Sequence, residues 1–173
     1  MVVGKERKRE LKRNIVYLNL WMKLSDLFNV CVEHHINKVI LYSAVIIRKM
    51  FEEEKSVENE IKNLNMKTPP LKLLKYKVKV TVYPFLGDKS FIIERVIPDN
   101  YDCKNIFTEE IELNKLCNQI IHSFVWVVSY EYKTHKIFGV LFASDKSKKD
   151  VLYLLEPQEF IKALKFCIDN GNI

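Results

Sequence analysis

The hydrophobic period of this chain changes at Thr68-Pro69-Pro70, and no other feature constrains its fold as strongly. Two consecutive prolines remove two backbone donors and force extended backbone, so a helix cannot run through them. Before them, apolar residues recur every three or four positions. Tyr17, Trp21, Leu24, Phe28 and Cys31, widened by Leu20 and Leu27, predict one long amphipathic helix over 7–32. Val39, Ile40, Ser43, Ile46, Ile47, Met50 and Phe51 predict a second helix, folded back on the first after the HHIN segment at 34–37. Ser56 is placed to cap a shorter third. The N-terminal third therefore reads as a helical hairpin.

After the prolines the period is two. Leu74, Tyr76, Val78, Val80 and Val82 alternate with Lys75, Lys77, Lys79, Thr81 and Tyr83, and the turn Leu86-Gly87-Asp88-Lys89 predicts a hairpin partner around 91–97. Thr108, with Glu109 and Glu110 in the first turn, predicts a helix to about Ile121. FVWVVSYEY, KIFGVLFASD and DVLYLLE predict a three-stranded meander, with turns at Lys133-Thr134 and across SDKSKKD. Pro157 opens a last helix with Phe160, Leu164, Cys167 and Ile168 on its inner face and Gly171 beyond its end. The fold class is α+β: an N-terminal helical hairpin, an antiparallel sheet of about five strands made of a hairpin plus the meander, and a C-terminal helix.

At 173 residues and 48% apolar content the chain supports one core, and no internal repeat divides it. Residues 14–173 are expected to form a single globular domain, with 1–13 a basic arm continuing into the first helix. Lys5, Arg7, Lys8, Arg9, Lys12 and Arg13 outweigh Glu6 and Glu10 to place +4 of the net +6 in those thirteen residues. Affinity for nucleic acid scales with the number of cations that meet phosphates, so RNA, DNA or an acidic partner would be met mainly by this arm. Lys77 and Lys79 belong to the solvent face of a half-exposed strand, where lysine serves solubility.

Several classes are excluded or left without support. The four glycines, Gly4, Gly87, Gly139 and Gly171, stand apart, so no glycine-rich phosphate cradle can be written. No uncharged stretch approaches the roughly 20 residues of a membrane span, and Lys23 and Asp26 interrupt the only signal-like segment, so a cytoplasmic protein without membrane association is expected. Cys31, Cys103, Cys117 and Cys167 lack metal-ligand spacing and read as small apolar residues with free thiols. His34-His35 beside Glu33 reads as a polar turn, since metal sites need three or four convergent ligands, and His135 as an exposed turn residue. Asp99, Asp102, Asp145 and Asp150 fall in turns, where Asp bonds nearby backbone. Ser123 and Ser144 lack the small neighbours of a catalytic elbow. Neither a cofactor nor a metal is expected, and the sequence leaves the oligomeric state open.

One strip carries chemistry. In LCNQIIHSF, residues 116–124, Asn118 and His122 lie four apart and share a helix face at a predicted helix-to-strand junction. CNQIIH resembles the RNxxxH strip of HEPN-type ribonucleases over six residues, with Cys117 at the arginine position. The resemblance implies an RNA-directed nuclease using His122 and Asn118; Arg48, the one arginine of the helical body, is the candidate cation that the sequence offers beside them. A buried histidine bonded to a backbone carbonyl is the competing expectation. The favoured function is a non-enzymatic interaction or accessory protein with a protein partner. Richness in Lys, Asn and Ile points to an AT-rich bacterial or phage genome, in which small cytosolic proteins of this sort often serve defence or immunity.

Overall fold

A computed structural model describes residues 2–23, 30–64, 72–87, 100–131, 133–134 and 136–171. Helix α1 spans Val2–Lys23 and helix α2 spans Val30–Asn63. A 3-10 turn at Leu73–Lys75 leads into strand β1 (Lys77–Pro84). Strand β2 (Phe107–Glu112), helix α3 (Leu113–Ile121), strands β3 (Ser123–Tyr130), β4 (Ile137–Ser144) and β5 (Val151–Leu155), and helix α4 (Pro157–Asn170) follow. The five strands form one antiparallel sheet in the order β2-β1-β5-β4-β3. The α+β class, the N-terminal helices, the β3-β4-β5 meander and the C-terminal helix are as the periodicities require.

The helices depart from expectation in their breaks. Of the long helix expected over 7–32, the residues up to Lys23 belong to α1 and those from Val30 to α2, and 24–29 lie outside the described residues. His34-His35 lies inside α2, and Ser56 caps nothing, because α2 continues unbroken for 34 residues. It contains neither Gly nor Pro, so no residue in it forces a stop. The inner face of α1 is also rotated: Leu11, Asn14 and Leu18 are buried, whereas Tyr17 and Leu20 are 40% and 45% exposed. Asn14 Nδ2 donates to Ser43 Oγ of α2 at 2.9 Å, and both residues are buried. A buried polar pair of this kind costs energy if misaligned, so it fixes the rotation and register of α1 on α2.

In β1, Val78, Val80 and Val82 are buried at 2% exposure or less while Lys77 and Lys79 face water. The strand expected around 91–97 lies outside the described residues. Among the described residues β1 pairs with β2 on one side and β5 on the other, and the helix expected to start at Thr108 begins only at Leu113. Thr108, Glu109 and Glu110 are strand residues. Their pairing explains why: Ile111 meets Val78 on the inner face, and Glu110 and Glu112 stand opposite Lys79 and Lys77, an arrangement of opposite charges that stabilises a ladder. β2 is the outermost strand among the described residues, a position where glutamates discourage further pairing. Gly87, at φ +83°, supplies the left-handed residue of the turn after β1.

The helices cover one face of the sheet. α1 packs on α2 and α4, α2 on α3, α3 on β2 and β4, and α4 on β1. Between them lies the main core, which includes Ile36, Ile40, Ile47, Met50, Phe51, Phe142, Phe160 and Leu164. On the opposite face a smaller cluster gathers Val125, Leu141, Ala143, Leu152 and Leu154 around Tyr101. Burial pushes the Tyr101 hydroxyl up to about 12, and it donates to the carbonyl of Lys148 at 2.7 Å. No helix among the described residues is long and apolar enough to cross a membrane.

Candidate functional site

LCNQIIHSF is built around the end of α3. Leu113, Leu116, Cys117 and Ile120 recur at spacings of three, one and three and are fully buried, so the opposite face of the helix, with Asn118 and Gln119, is turned toward solvent. The helix ends at Ile121. His122 caps it, its backbone N–H donating to the carbonyls of Asn118 and Ile120, and its own carbonyl accepts from Asp145 N at 3.3 Å. The side chain of His122 is exposed. A buried, carbonyl-bonded imidazole is thus not what this position holds; the backbone makes those bonds, and the ring faces water.

The turn between β4 and β5 closes the other side. Ser144 and Ser147 are buried and satisfy each other: Ser147 N donates to Ser144 Oγ at 3.2 Å and Ser144 N to Ser147 Oγ at 3.0 Å. Ser147 Oγ then donates to Gln119 Oε1 at 2.8 Å, tying the turn to α3. Lys148 bonds Asp145 at 2.5 Å and holds its carboxyl below the usual carboxylate range, while the same ammonium lies 3.7 Å over the ring of Phe124.

Between this turn, α3 and α2 is a cleft of about 540 Å³ lined by Arg48, Asn118, Gln119, His122, Ser144, Asp145 and Lys146. The three residues singled out by the strip and by the helical body, Asn118, His122 and Arg48, therefore line the same cleft. Arg48 Nε donates to Glu52 Oε1 at 3.2 Å, one turn along α2. The cleft offers cationic and amide donors to an anion. Its serine is a poor nucleophile, because Ser144 Oγ is buried and bonded to Ser147.

The basic residues of 1–13 belong to α1, in which Gly4 and Leu11 are buried. Arg7 pairs with Glu53 of α2, Arg9 with Glu6 and Arg13 with Glu10. Three of the six cations are thereby offset by carboxylates. Lys5 and Lys12 are exposed and Lys8 partly so. On β1, Lys77 and Lys79 face glutamates across the ladder, which lowers their value to a phosphate.

A second concavity was not read from the sequence. It lies between α1 and α2, has a volume of about 630 Å³, and is lined by Arg13, Asn14, Tyr17, Trp21, His35, Lys38, Val39 and Tyr42. Elsewhere on the same two helices Val16, Leu20, Leu41 and Val45 are 63%, 45%, 44% and 38% exposed, and Leu41 lines a separate cleft with Ser123 and Trp126. The signal was present: Tyr17 and Trp21 are apolar at helical spacing, but periodicity alone assigns such residues to a core. The His35 ring lies tilted against Trp21 with centroids 5.0 Å apart and donates to the Cys31 carbonyl, and Glu33 accepts from Tyr130. These neighbours are engaged in three different directions, and among the described residues no His, Cys, Asp and Glu group is arranged to hold a metal.

The cysteines divide. Cys117 and Cys167 are buried as expected of small apolar residues, whereas Cys31 and Cys103 are exposed; none forms a disulfide. Asp102 holds an Asx-type turn, accepting from Asn105 Nδ2 at 2.6 Å and Lys104 N at 2.8 Å, which lowers its carboxyl. Asp99 and His135 lie outside the described residues. No protein-family model, curated protein or solved structure matches this chain.

Proposed function

We propose that this protein is a non-enzymatic interaction protein, an accessory component of a bacterial or phage cytosolic system such as a defence or immunity system, which engages a protein partner through the groove between α1 and α2. The observation that supports this is the groove itself. Tyr, Trp and Arg are the side chains most often found at the energetic centre of protein interfaces, and this groove is lined by Tyr17, Trp21, Tyr42 and Arg13. Val39 adds an apolar side chain to the same lining. The Lys-, Asn- and Ile-rich composition fits the proposed source. The test is parallel capture from host lysate by the intact chain and by Tyr42→Glu, followed by mass spectrometry. A specific partner should be held by the first and lost by the second. Capture of the same proteins by both would remove the reading.

A second reading is favoured by one observation, the convergence of Arg48, Asn118 and His122 on one cleft. Under it the cleft binds an RNA phosphate and His122 moves a proton. The chain passes directly from His122 into β3, so this would be RNA chemistry on an α+β scaffold and not on a second helix of a HEPN pair. Loss of RNA turnover in folded His122→Gln, which cannot exchange a proton near neutral pH, would place this reading first.

A further inference from the structure

We infer that the α1–α2 groove receives an acidic amphipathic helix of the partner, which rests on the reading that the groove engages a protein. The shape comes first. From Asn14 to Trp21 the groove wall is two turns of α1, about 10 Å at 1.5 Å per residue, and the opposite wall is the matching stretch of α2 from His35 to Tyr42. A partner helix laid along it would present apolar side chains at i, i+3 or i+4, and i+7, the usual pattern when a helix fills a groove between helices.

Charge selects the partner. The groove is lined by two formal cations, Arg13 and Lys38, and, among the described residues, by no carboxylate. Glu10 offsets Arg13 from outside. With Glu6, Glu10 and the Glu53 that pairs with Arg7 all counted, however, six cations less three carboxylates still leave +3 on this stretch, which runs straight into the wall at Arg13. Carboxylates flanking the partner's apolar stripe would meet this field, and like charges would be repelled. The same argument disfavours a second copy of this chain. A twofold interface sets the patch against itself, so Arg13 and Lys38 would face their own counterparts.

Single-stranded RNA also seeks aromatic residues beside cations. Two features weigh against it here. Its affinity would scale with the number of cations that meet phosphates, and the groove offers only Lys38 and Arg13, the latter shared with Glu10; its lining is otherwise largely apolar, through Tyr17, Trp21, Val39 and Tyr42, which suits a helix docked by an apolar stripe and needing few flanking carboxylates.

The test is selection of helical peptides from a random display library panned on the full chain. Enriched peptides should be net acidic with apolar residues at the stated spacing. They should bind Tyr42→Glu at least about tenfold more weakly and Lys38→Glu several-fold more weakly. Both positions are exposed, so circular dichroism and Tm should match the parent. Enrichment of basic or neutral peptides, or of binders indifferent to Tyr42→Glu, would overturn the inference. So would an oligouridine RNA whose binding is abolished by Tyr42→Glu, or a dimer in sedimentation that Tyr42→Glu dissolves. A host partner that needs Tyr42 but carries no acidic helix would leave the protein-binding reading standing and remove this inference alone.

Discussion

Glu54 is the least comfortable side chain in the fold. It lies on α2 with 5% of its surface exposed, and among the described residues neither carboxylate oxygen has a hydrogen-bond partner. Burial raises its pKa above the ordinary value of 4.5, and its proximity adds to the burial that pushes the Cys167 thiol up to about 12. An unsatisfied buried polar group costs about 1–3 kcal/mol, more when charged. Glu54→Leu keeps much of the volume and removes the cost, so it should stabilise the protein by about that amount at pH 8, at roughly 2–4 °C in Tm per kcal/mol for a chain of this size. The sign with pH follows from the raised pKa. The folded state holds the proton more tightly than the unfolded state, so the wild type loses stability as pH rises from about 4.5 through the folded-state pKa. The gain from Glu54→Leu should therefore be small at pH 4 and full at pH 8. Glu54→Gln should flatten the same profile with a smaller gain, since its amide still lacks partners. Thermal unfolding at a series of pH values measures all three proteins. A variant less stable than wild type at pH 8, or a difference that does not change with pH, would refute the reasoning.

Other expectations use simpler readouts. Val80→Lys should cost at least about 3 kcal/mol by burying an unpaired ammonium, and Lys79→Thr less than about 1, the worth of its cross-strand pairing with Glu110; equal losses in chemical denaturation would show a misassigned register. Cys31 and Cys103 should alkylate rapidly at pH 8 and Cys117 and Cys167 only on unfolding, because burial raises both buried thiols; four equivalent rates would contradict the burial. Replacing Lys5, Lys8 and Lys12 by Gln should leave Tm unchanged and reduce the slope of log K against log salt for duplex DNA by no more than about 0.9 per lysine; an unchanged slope would mean that other cations carry any such binding. His122→Gln should change unfolding free energy by less than about 0.5 kcal/mol, as an exposed substitution does; a loss above about 1 would mean that the ring is structural.

The fold class was legible because it depends on period, and period is local. The period of α1 was readable, but its phase was not. Tyr17 and Leu20 make as good an apolar stripe as Leu11 and Leu18, and the choice between them is made by Asn14 meeting Ser43 on another helix. The continuity of α2 was missed for a related reason. His34, His35 and Asn37 are only mildly poor helix formers, and polar residues mid-sequence resemble a turn until the helix around them is seen. At 107–112 local preference was overridden outright. Glutamates after a threonine favour a helix start, yet here they alternate along a strand, because Lys77 and Lys79 are waiting on its neighbour.

The candidate sites follow the same division between local and distant information. Asn118 and His122 were found because one helix turn joins them, whereas the α1–α2 groove needed two helices whose relative rotation the sequence does not state. At His122 the earlier choice between a structural and a functional histidine joins two questions that the structure separates. The structural task at that position, closing α3 and receiving Asp145 N from the adjoining turn, is done by the backbone N–H and C=O. Any residue with ordinary backbone freedom could do it. The imidazole is left exposed on the rim of a cleft that also holds Arg48, so the fold does not dictate its identity. A change of side chain at 122 is therefore expected to leave stability nearly untouched, so any activity it alters is read without interference from unfolding, whereas at the fully buried Leu116 or Ile120 stability would be lost first.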